Sequence, residues 1–350
     1  MAGEATRAVH GDRSLDDLSD VAPPIRPSTT FRDGEGRRYR RTSHATTERL
    51  EAVLGSLEGG HAAVYASGMA AVAAALDHVH PRQIALPADC YHGVRELANR
   101  KVEQGDLALV EPSELGEGDL LWVETPSNPM CLITDLEQVT TEAHGRGALV
   151  VCDSTFATPI LQKPLEFGVD LVMHSATKGI SGHSDAVVGV LVSGSEAVGS
   201  DLRSARQLTG AVPGSLDSWL SLRGVRTLPL RINQATRTAG SIAGLTHSSG
   251  VQTYYPGIPN HPGHDIARRQ MSGFGAMMSV DVESQVAAER FIEGLSLFVS
   301  ATSLGGVESL AEHRMRSDST VAPGLVRLSI GIEDEDDLVA DVGRALDAIS

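Results

Sequence analysis

The sequence predicts an α/β protein: a mostly parallel sheet layered with helices, followed by a smaller α+β region. Three observations predict it. Short apolar runs alternate with helical segments from Ala62 to Val192. Ser67, Tyr91, Asn128, Asp153, Ser175 and Lys178 all fall just after those runs, at the strand ends where such sheets bind ligands. The length, 350 residues, exceeds a comfortable single core and points to two domains.

Residues 1–45 lack sustained periodicity. Pro23, Pro24, Pro27 and the run Arg37-Arg38-Tyr39-Arg40-Arg41 predict an extended arm, with the basic run either solvated or binding an anion. A helix is expected from Thr46, with Thr47 as its N-cap. Leu50, Val53, Leu54 and Leu57 repeat at helical spacing until Gly59-Gly60 stops them. Strands are expected at 62–66, 83–86, 107–110, 120–123, 148–152, 169–173 and 186–192. Helices are expected after Ser67-Gly68-Met69 through Leu76 and at 94–102. One long helical stretch, 216–246, would bridge to the second domain. There, strands at 275–282 and 325–332 and helices at 285–295 and 335–349 are expected. The acidic run Glu333 to Asp337 suits the positive end of the last helix and reads as capping. The expected divisions are an arm (1–45), a large domain (46–224) and a C-terminal α+β domain (225–350).

Hydrophobic content of 41% and charged content of 21% are those of a globular protein. The net charge of −16 argues against nucleic acid or an anionic membrane as partner. No segment approaches membrane-spanning length, the N-terminus has no apolar signal region, and cytoplasm is the expected compartment. Cys90, Cys131 and Cys152 are odd in number and lie in apolar contexts, which predicts buried, reduced thiols.

Only three of the 29 lysines and arginines are lysine: Lys101, Lys163 and Lys178. Arginine neither loses its proton nor forms an imine; lysine does both. Lys178, in the loop Ser175-Ala-Thr-Lys-Gly after a buried strand, is therefore a candidate Schiff-base nucleophile. Ser67-Gly68-Met69 at a helix start, with Ser175 and Thr177, would make a phosphate cradle. Asp153 closes the apolar strand Gly147–Cys152. It either caps the turn Ser154-Thr155 or faces a protonated pyridine nitrogen. Lysine, acid and phosphate cup together are what pyridoxal phosphate requires. Tyr91, an aromatic in a polar turn, would stack on the cofactor or assist a leaving group; a surface tyrosine is the other reading. Arg327, inside the apolar strand Leu325–Ile330, calls for a carboxylate. That would be an amino-acid substrate or an internal partner such as Glu333 or Asp334.

Ordered motifs now extend the case. Thr6-Arg-Ala-Val-His-Gly11, Ser67-Gly-Met69, Glu124-Thr-Pro-Ser-Asn-Pro129, Asp153-Ser-Thr-Phe-Ala-Thr-Pro159 and the Lys178 loop come first. Gly210-Ala-Val-Pro-Gly214, Arg223-Gly-Val-Arg-Thr-Leu228, Ser303-Leu-Gly-Gly-Val-Glu-Ser309 and Leu325–Asp334 follow. Along nearly its whole length the chain resembles the pyridoxal-phosphate enzymes of cysteine and methionine metabolism, such as the cystathionine γ-synthases and lyases and methionine γ-lyase.

The resemblance implies a fold-type I transferase architecture with a seven-stranded, mostly parallel sheet. It also implies a homotetramer of dimers that share active sites, and a small amino-acid substrate. Lys178 would carry the cofactor and move protons, Asp153 would pair with its ring nitrogen, and Thr155 would be a further cofactor-binding residue. Tyr91 would stack on the ring, and Gly68, Met69, Ser175 and Thr177 would hold the phosphate. Tyr39 and Arg41 would reach the phosphate of a neighbouring subunit. Asn128, Ser303 and Arg327 would bind the substrate carboxylate. The implied activity is γ-elimination or γ-replacement on cystathionine, homocysteine, methionine or O-acyl-homoserine-like substrates. A β-eliminating C–S lyase and a γ-replacement with a non-sulfur nucleophile stay open as alternatives.

The chain also departs from the family. His92 stands where the family has glycine, and Gly179 follows the lysine in place of an aromatic. Arg38 and Thr302 occupy positions that often hold acids serving a distal ammonium, so a neutral or anionic distal end is expected. A binding protein that retains the fold, and a metal held by His174, His183 and Asp185, are the remaining and weaker alternatives.

Overall fold

The computed structural model describes residues 2–15, 20–34 and 36–349. Positions 1, 16–19 and 35 of the expected arm, and position 350, lie outside the described residues. The chain divides into two compact units: Met1–Glu124 with Asp135–Pro229, and Thr125–Thr134 with Leu230–Ser350.

The first unit is built on seven strands: β1 (His61–Tyr65), β2 (Gln83–Ala85), β3 (Ala108–Leu109), β4 (Leu120–Glu124), β5 (Leu149–Asp153), β6 (Leu171–Ser175) and β7 (Gly189–Ser193). Their order is β1-β7-β6-β5-β4-β2-β3. Only β7 runs against its neighbours; the other pairings are parallel. Parallel pairing needs crossovers, which helices supply, and strands covered on both faces are apolar throughout. β4 and β7 accordingly show no exposed residue. Trp122 and Tyr65 are fully buried, and the Tyr65 hydroxyl donates to Leu202 O at 3.2 Å, which seats helix Glu196–Thr209 on the sheet. Each fully buried large side chain of this core stabilises by about 1.5–3 kcal/mol.

The helix of residues 45–58 starts one residue earlier than its apolar spacing predicts. His44 is its N-cap residue, and Thr47 lies inside it, buried, rather than capping it. Gly59 adopts the left-handed conformation that ends it. The arm is not extended throughout. Glu4–His10 forms a helix of seven residues, too short for its periodicity to register. Arg7 Nη1 donates to Ser56 O at 2.7 Å, and buried Asp12 takes Arg49 Nη1 at 3.0 Å and Arg226 Nη2 at 3.4 Å. Further along, Thr30 and Tyr39 form an isolated antiparallel bridge. The stretch expected as one helix at 216–246 is two, Ser215–Val225 and Leu228–Ser248. Pro229 suits the break: lacking an N–H it cannot continue the first helix, whereas the first turn of a new one, where it stands, needs no donor from it.

The second unit carries a five-stranded sheet of β8 (Gln252–Tyr254), β9 (Met277–Asp281), β10 (Val299–Ser300), β11 (Leu310–His313) and β12 (Leu325–Ser329), in the order β10-β11-β12-β9-β8. All pairings but β10–β11 are antiparallel. Helices Gln285–Gly294 and Glu335–Asp347 share its core: Phe291, Leu338, Val342 and Leu346 cluster with Met278, Val280, Val326 and Leu328. Alternation along β12 therefore puts Val326 and Leu328 in that core and Arg327 on the other face. Asp334 makes no side-chain cap at the last helix; the acids of its first turn are Glu335, Asp336 and Asp337.

Candidate active site

In the first unit the chemistry gathers at the carboxyl ends of β4, β5 and β6. Their registers set Glu124 beside Asp153, and Asp153 beside Met173. Asp153 is 8% exposed, and its Oδ1 accepts from Thr155 N at 3.0 Å and Thr155 Oγ1 at 2.5 Å. Thr155 Oγ1 in turn accepts from Ser175 N at 2.9 Å, so one hydroxyl joins the ends of β5 and β6. Asp153 thus closes the turn its sequence context allowed, through one oxygen, and its second oxygen makes no hydrogen bond among the described residues. Burial pushes its carboxyl above the ordinary range, while the Thr155 donors and the charge of His174 pull it back.

Lys178 is half-buried in the loop after β6. Three backbone bonds fold that loop: Lys178 N to Ser175 O at 3.0 Å, Ser181 N to Ala176 O at 2.9 Å, and Gly182 N to Lys178 O at 2.8 Å. The other two lysines are committed elsewhere. Lys101 pairs with Asp77 at 3.1 Å, and Lys163 bonds to Leu57 O at 2.6 Å and to Glu4 at 3.2 Å.

Helix Gly68–Val79 begins at the same sheet edge. Ser67 Oγ caps it by accepting from Ala70 N at 3.0 Å. The amides of Gly68 and Met69 precede that capped amide and have no acceptor within the helix. A Cβ on Gly68 would come within 3.0 Å of Ser175 Oγ, so the serine hydroxyl lies directly against the helix start. Thr177 differs. Its hydroxyl donates to Val188 O at 3.1 Å and accepts from Val188 N at 3.0 Å, so it holds the Lys178 loop and offers no open donor.

Tyr91 is 38% exposed at the start of helix His92–Glu103, its ring 4.4 Å from that of His92. Tyr39 and Arg41 stack on each other, guanidinium 5.4 Å from ring centroid. Both are exposed, and neither hydrogen-bonds to the Lys178 and Asp153 group. The residues of the metal alternative diverge: buried His174 meets Glu58, the ring of His183 bonds to Ser181 O, and Asp185 is exposed. Among the described residues no group of His, Cys, Asp and Glu is arranged to hold a metal.

The donor set fits pyridoxal phosphate. A buried carboxylate with one oxygen open suits a ring N–H. Two uncommitted helix amides with a serine hydroxyl against them suit a phosphate, and a lysine stands in the adjoining loop.

In the second unit Arg327 is buried and bonds to Glu312 Oε2, to Asn128 Oδ1 at 2.9 Å and to Ser303 O at 2.9 Å. Its internal carboxylate is Glu312, not Glu333 or Asp334. Glu333 instead accepts from Ser309 N at 2.7 Å and Ser309 Oγ at 2.9 Å. Burial pulls the guanidinium below its usual range and Glu312 raises it. The expected trio Arg327, Asn128 and Ser303 is thus assembled, with the serine joining through its carbonyl in a left-handed backbone conformation, φ 78°. Sequence reasoning missed Glu312. Its position directly opposite Arg327 in the β11–β12 register is the signal that identifies it.

The family model described as Cys/Met metabolism PLP-dependent enzyme matches residues 5–347. A cystathionine gamma-synthase of Mycobacterium tuberculosis is 40% identical over 383 residues, covering 99% of this chain and 97% of its own length. A cystathionine gamma-lyase of Bacillus subtilis is 38% identical, covering 98% and 99%. The crystal structure of metB from Corynebacterium glutamicum superposes with a TM-score of 0.95 at 36% identity, covering 100% of this chain and 99% of that one.

Proposed function

Because the chain belongs to the Cys/Met metabolism PLP-dependent enzyme family, and so is a pyridoxal-phosphate enzyme of sulfur amino-acid metabolism, we propose that it eliminates or replaces the γ-substituent of a homoserine- or homocysteine-derived amino acid. The observation that carries the proposal is Asp153: a buried carboxylate held by Thr155 through one oxygen, with the other open. Pyridoxal phosphate, when bound, supplies an aldehyde that captures amines and a cationic ring that withdraws electrons from the substrate Cα.

The chain's own residues do the rest. Asp153 would accept the ring N–H and favour the protonated nitrogen. The amides of Gly68 and Met69 and the Ser175 hydroxyl take the phosphate, with Thr177 bracing the loop behind them. Lys178 Nζ would be the amine that holds the cofactor aldehyde. It would also take the Cα proton of the substrate and, for γ chemistry, a proton from Cβ. Tyr91 would stack on the ring and give a proton to the leaving group. Arg327, with Asn128 and Ser303, holds the α-carboxylate.

The distal end of the substrate is neutral or anionic, which the basic Arg38 and the uncharged Thr302 support. The enzyme works in the cytoplasm as a homotetramer of dimers, with the exposed Tyr39–Arg41 pair serving the phosphate of a neighbouring subunit. Stopped-flow absorbance with a panel of amino acids, followed by mass spectrometry of the products, tests the reading. O-acyl-homoserine, homocysteine or methionine should react faster than cystathionine. Products of β-cleavage alone, or a marked preference for cystathionine, would overturn it. Borohydride should fix the cofactor on the Lys178 peptide.

A further inference from the structure

Glu124 has no role in the chemistry above, yet it stands in the middle of it. It is the last residue of β4, buried, and register partner to Asp153. Its Oε2 accepts from the backbone N–H of Tyr91 at 2.7 Å. Tyr91 is the residue on which helix His92–Glu103 begins, and its own side chain makes no cap. Glu124 therefore serves that helix start from another strand, 33 residues away in sequence. A carboxylate there meets both an otherwise unpaired amide and the positive end of the helix dipole.

The ring of Tyr91 is fixed from its other side. A Cβ on Gly93 would lie 2.8 Å from Tyr91 Cε1 and 2.9 Å from Met69 Sδ. The phenol ring thus packs into the space that glycine leaves, beside the thioether at the start of helix Gly68–Val79. With the backbone held at one end and the ring confined at the other, Tyr91 has little room to turn even though it is partly exposed.

We propose that Glu124 is the positioning residue of Tyr91: its hydrogen bond to the tyrosine amide sets the ring against the cofactor. The proposal rests on the reading that Tyr91 stacks on pyridoxal phosphate. Replacing Glu124 by methionine keeps length and removes the acceptor; replacing it by glutamine keeps the acceptor and removes the charge.

The test follows cofactor release from purified holoenzyme, and its rebinding, for Tyr91→Ala, Glu124→Met, Glu124→Gln and the double variant Tyr91→Ala/Glu124→Met. Thermal unfolding is recorded on each. Tyr91→Ala should weaken cofactor affinity about 10-fold, Glu124→Met by a similar factor, and the double variant by no more than either. Glu124→Gln should stay within about threefold of wild type, because the amide oxygen still accepts. Additive losses in the double variant would overturn the proposal, since Glu124 would then act independently of the ring. So would a Glu124→Met enzyme with unchanged affinity, or a Glu124→Gln enzyme as weak as Glu124→Met. Unchanged affinity in Tyr91→Ala would instead remove the stacking reading, and the proposal with it. Should Glu124→Met not fold, the isosteric Glu124→Gln decides alone, a loss beyond about tenfold overturning the proposal.

Discussion

Glu312 and Arg327 face each other across β11 and β12, and the guanidinium reaches past its carboxylate partner to Asn128 Oδ1 and Ser303 O. The arrangement aims a planar fork that lysine cannot reproduce. Arg327→Lys should therefore raise KM for the amino-acid substrate by about 10-fold or more while changing kcat less, since the carboxylate contact is made before and during the reaction. Glu312→Ala leaves Arg327 buried without its ion-pair partner, which should destabilise the protein by about 3 kcal/mol in denaturant unfolding. Equal losses in kcat and KM for Arg327→Lys would argue against a carboxylate-binding role.

Asp153 carries a pH signature. Its folded carboxyl lies above the ordinary aspartate range, because burial outweighs the Thr155 donors and the nearby His174. Between the unfolded and folded values the native chain holds a proton that the unfolded chain has released. The stability contribution is thus present below the ordinary range and is lost as pH rises through the raised value. Asp153→Asn removes this titration. Cofactor-free Asp153→Asn should show a flatter melting-temperature profile over that window, and its affinity for pyridoxal phosphate should fall about 10- to 100-fold. Parallel profiles for the two proteins would show that Asp153 does not titrate there.

Legibility in the sequence followed sequence distance and element length. The strands of the first sheet announce themselves as apolar runs, and Asp153, Ser175 and Lys178 are readable because each ends or follows one. Glu312 was not readable as the partner of Arg327: it lies on a different strand, and only the β11–β12 register brings the two together. β10 and helix Glu4–His10 are too short for a period to build. Helices Leu136–His144 and Glu196–Thr209 carry buried polar residues, Thr140 and Arg206, on faces that apolar spacing would have marked. Thr177 looks like a phosphate donor in sequence, and only the placement of Val188 shows its hydroxyl to be engaged.

His174 and Glu58, 116 residues apart, make a second buried pair that sequence alone does not reveal. Nε2 and Oε1 are 2.5 Å apart, and both side chains are 1% exposed. His174 Nδ1 and Glu58 Oε2 have no hydrogen bond among the described residues. The pair ties the end of helix Ala45–Glu58 to the strand that leads into Lys178. Glu58→Leu leaves the imidazole buried without its hydrogen-bond partner and should cost about 1–3 kcal/mol. The double variant Glu58→Leu/His174→Leu should recover much of that loss, because no polar atom of the pair is then stranded. Additive destabilisation in the double variant would show that the two side chains do not act as a pair.

Gly68→Ala separates folding from cofactor binding. Alanine favours the helical state over glycine by up to about 1 kcal/mol, so in the first turn of helix Gly68–Val79 the substitution should leave the cofactor-free protein as stable or slightly more so. The new Cβ meets Ser175 Oγ at 3.0 Å, Ser175 Cβ at 3.1 Å and Met173 Cε at 3.4 Å. The serine hydroxyl must then yield by a few tenths of an ångström, and the added methyl crowds the surface on which the phosphate would rest. Melting temperature of the cofactor-free protein should therefore hold or rise, while affinity for pyridoxal phosphate drops by about 10-fold or more. If stability fell and affinity were unchanged, Gly68 would be a packing residue, and the phosphate would have to be held elsewhere on the sheet edge.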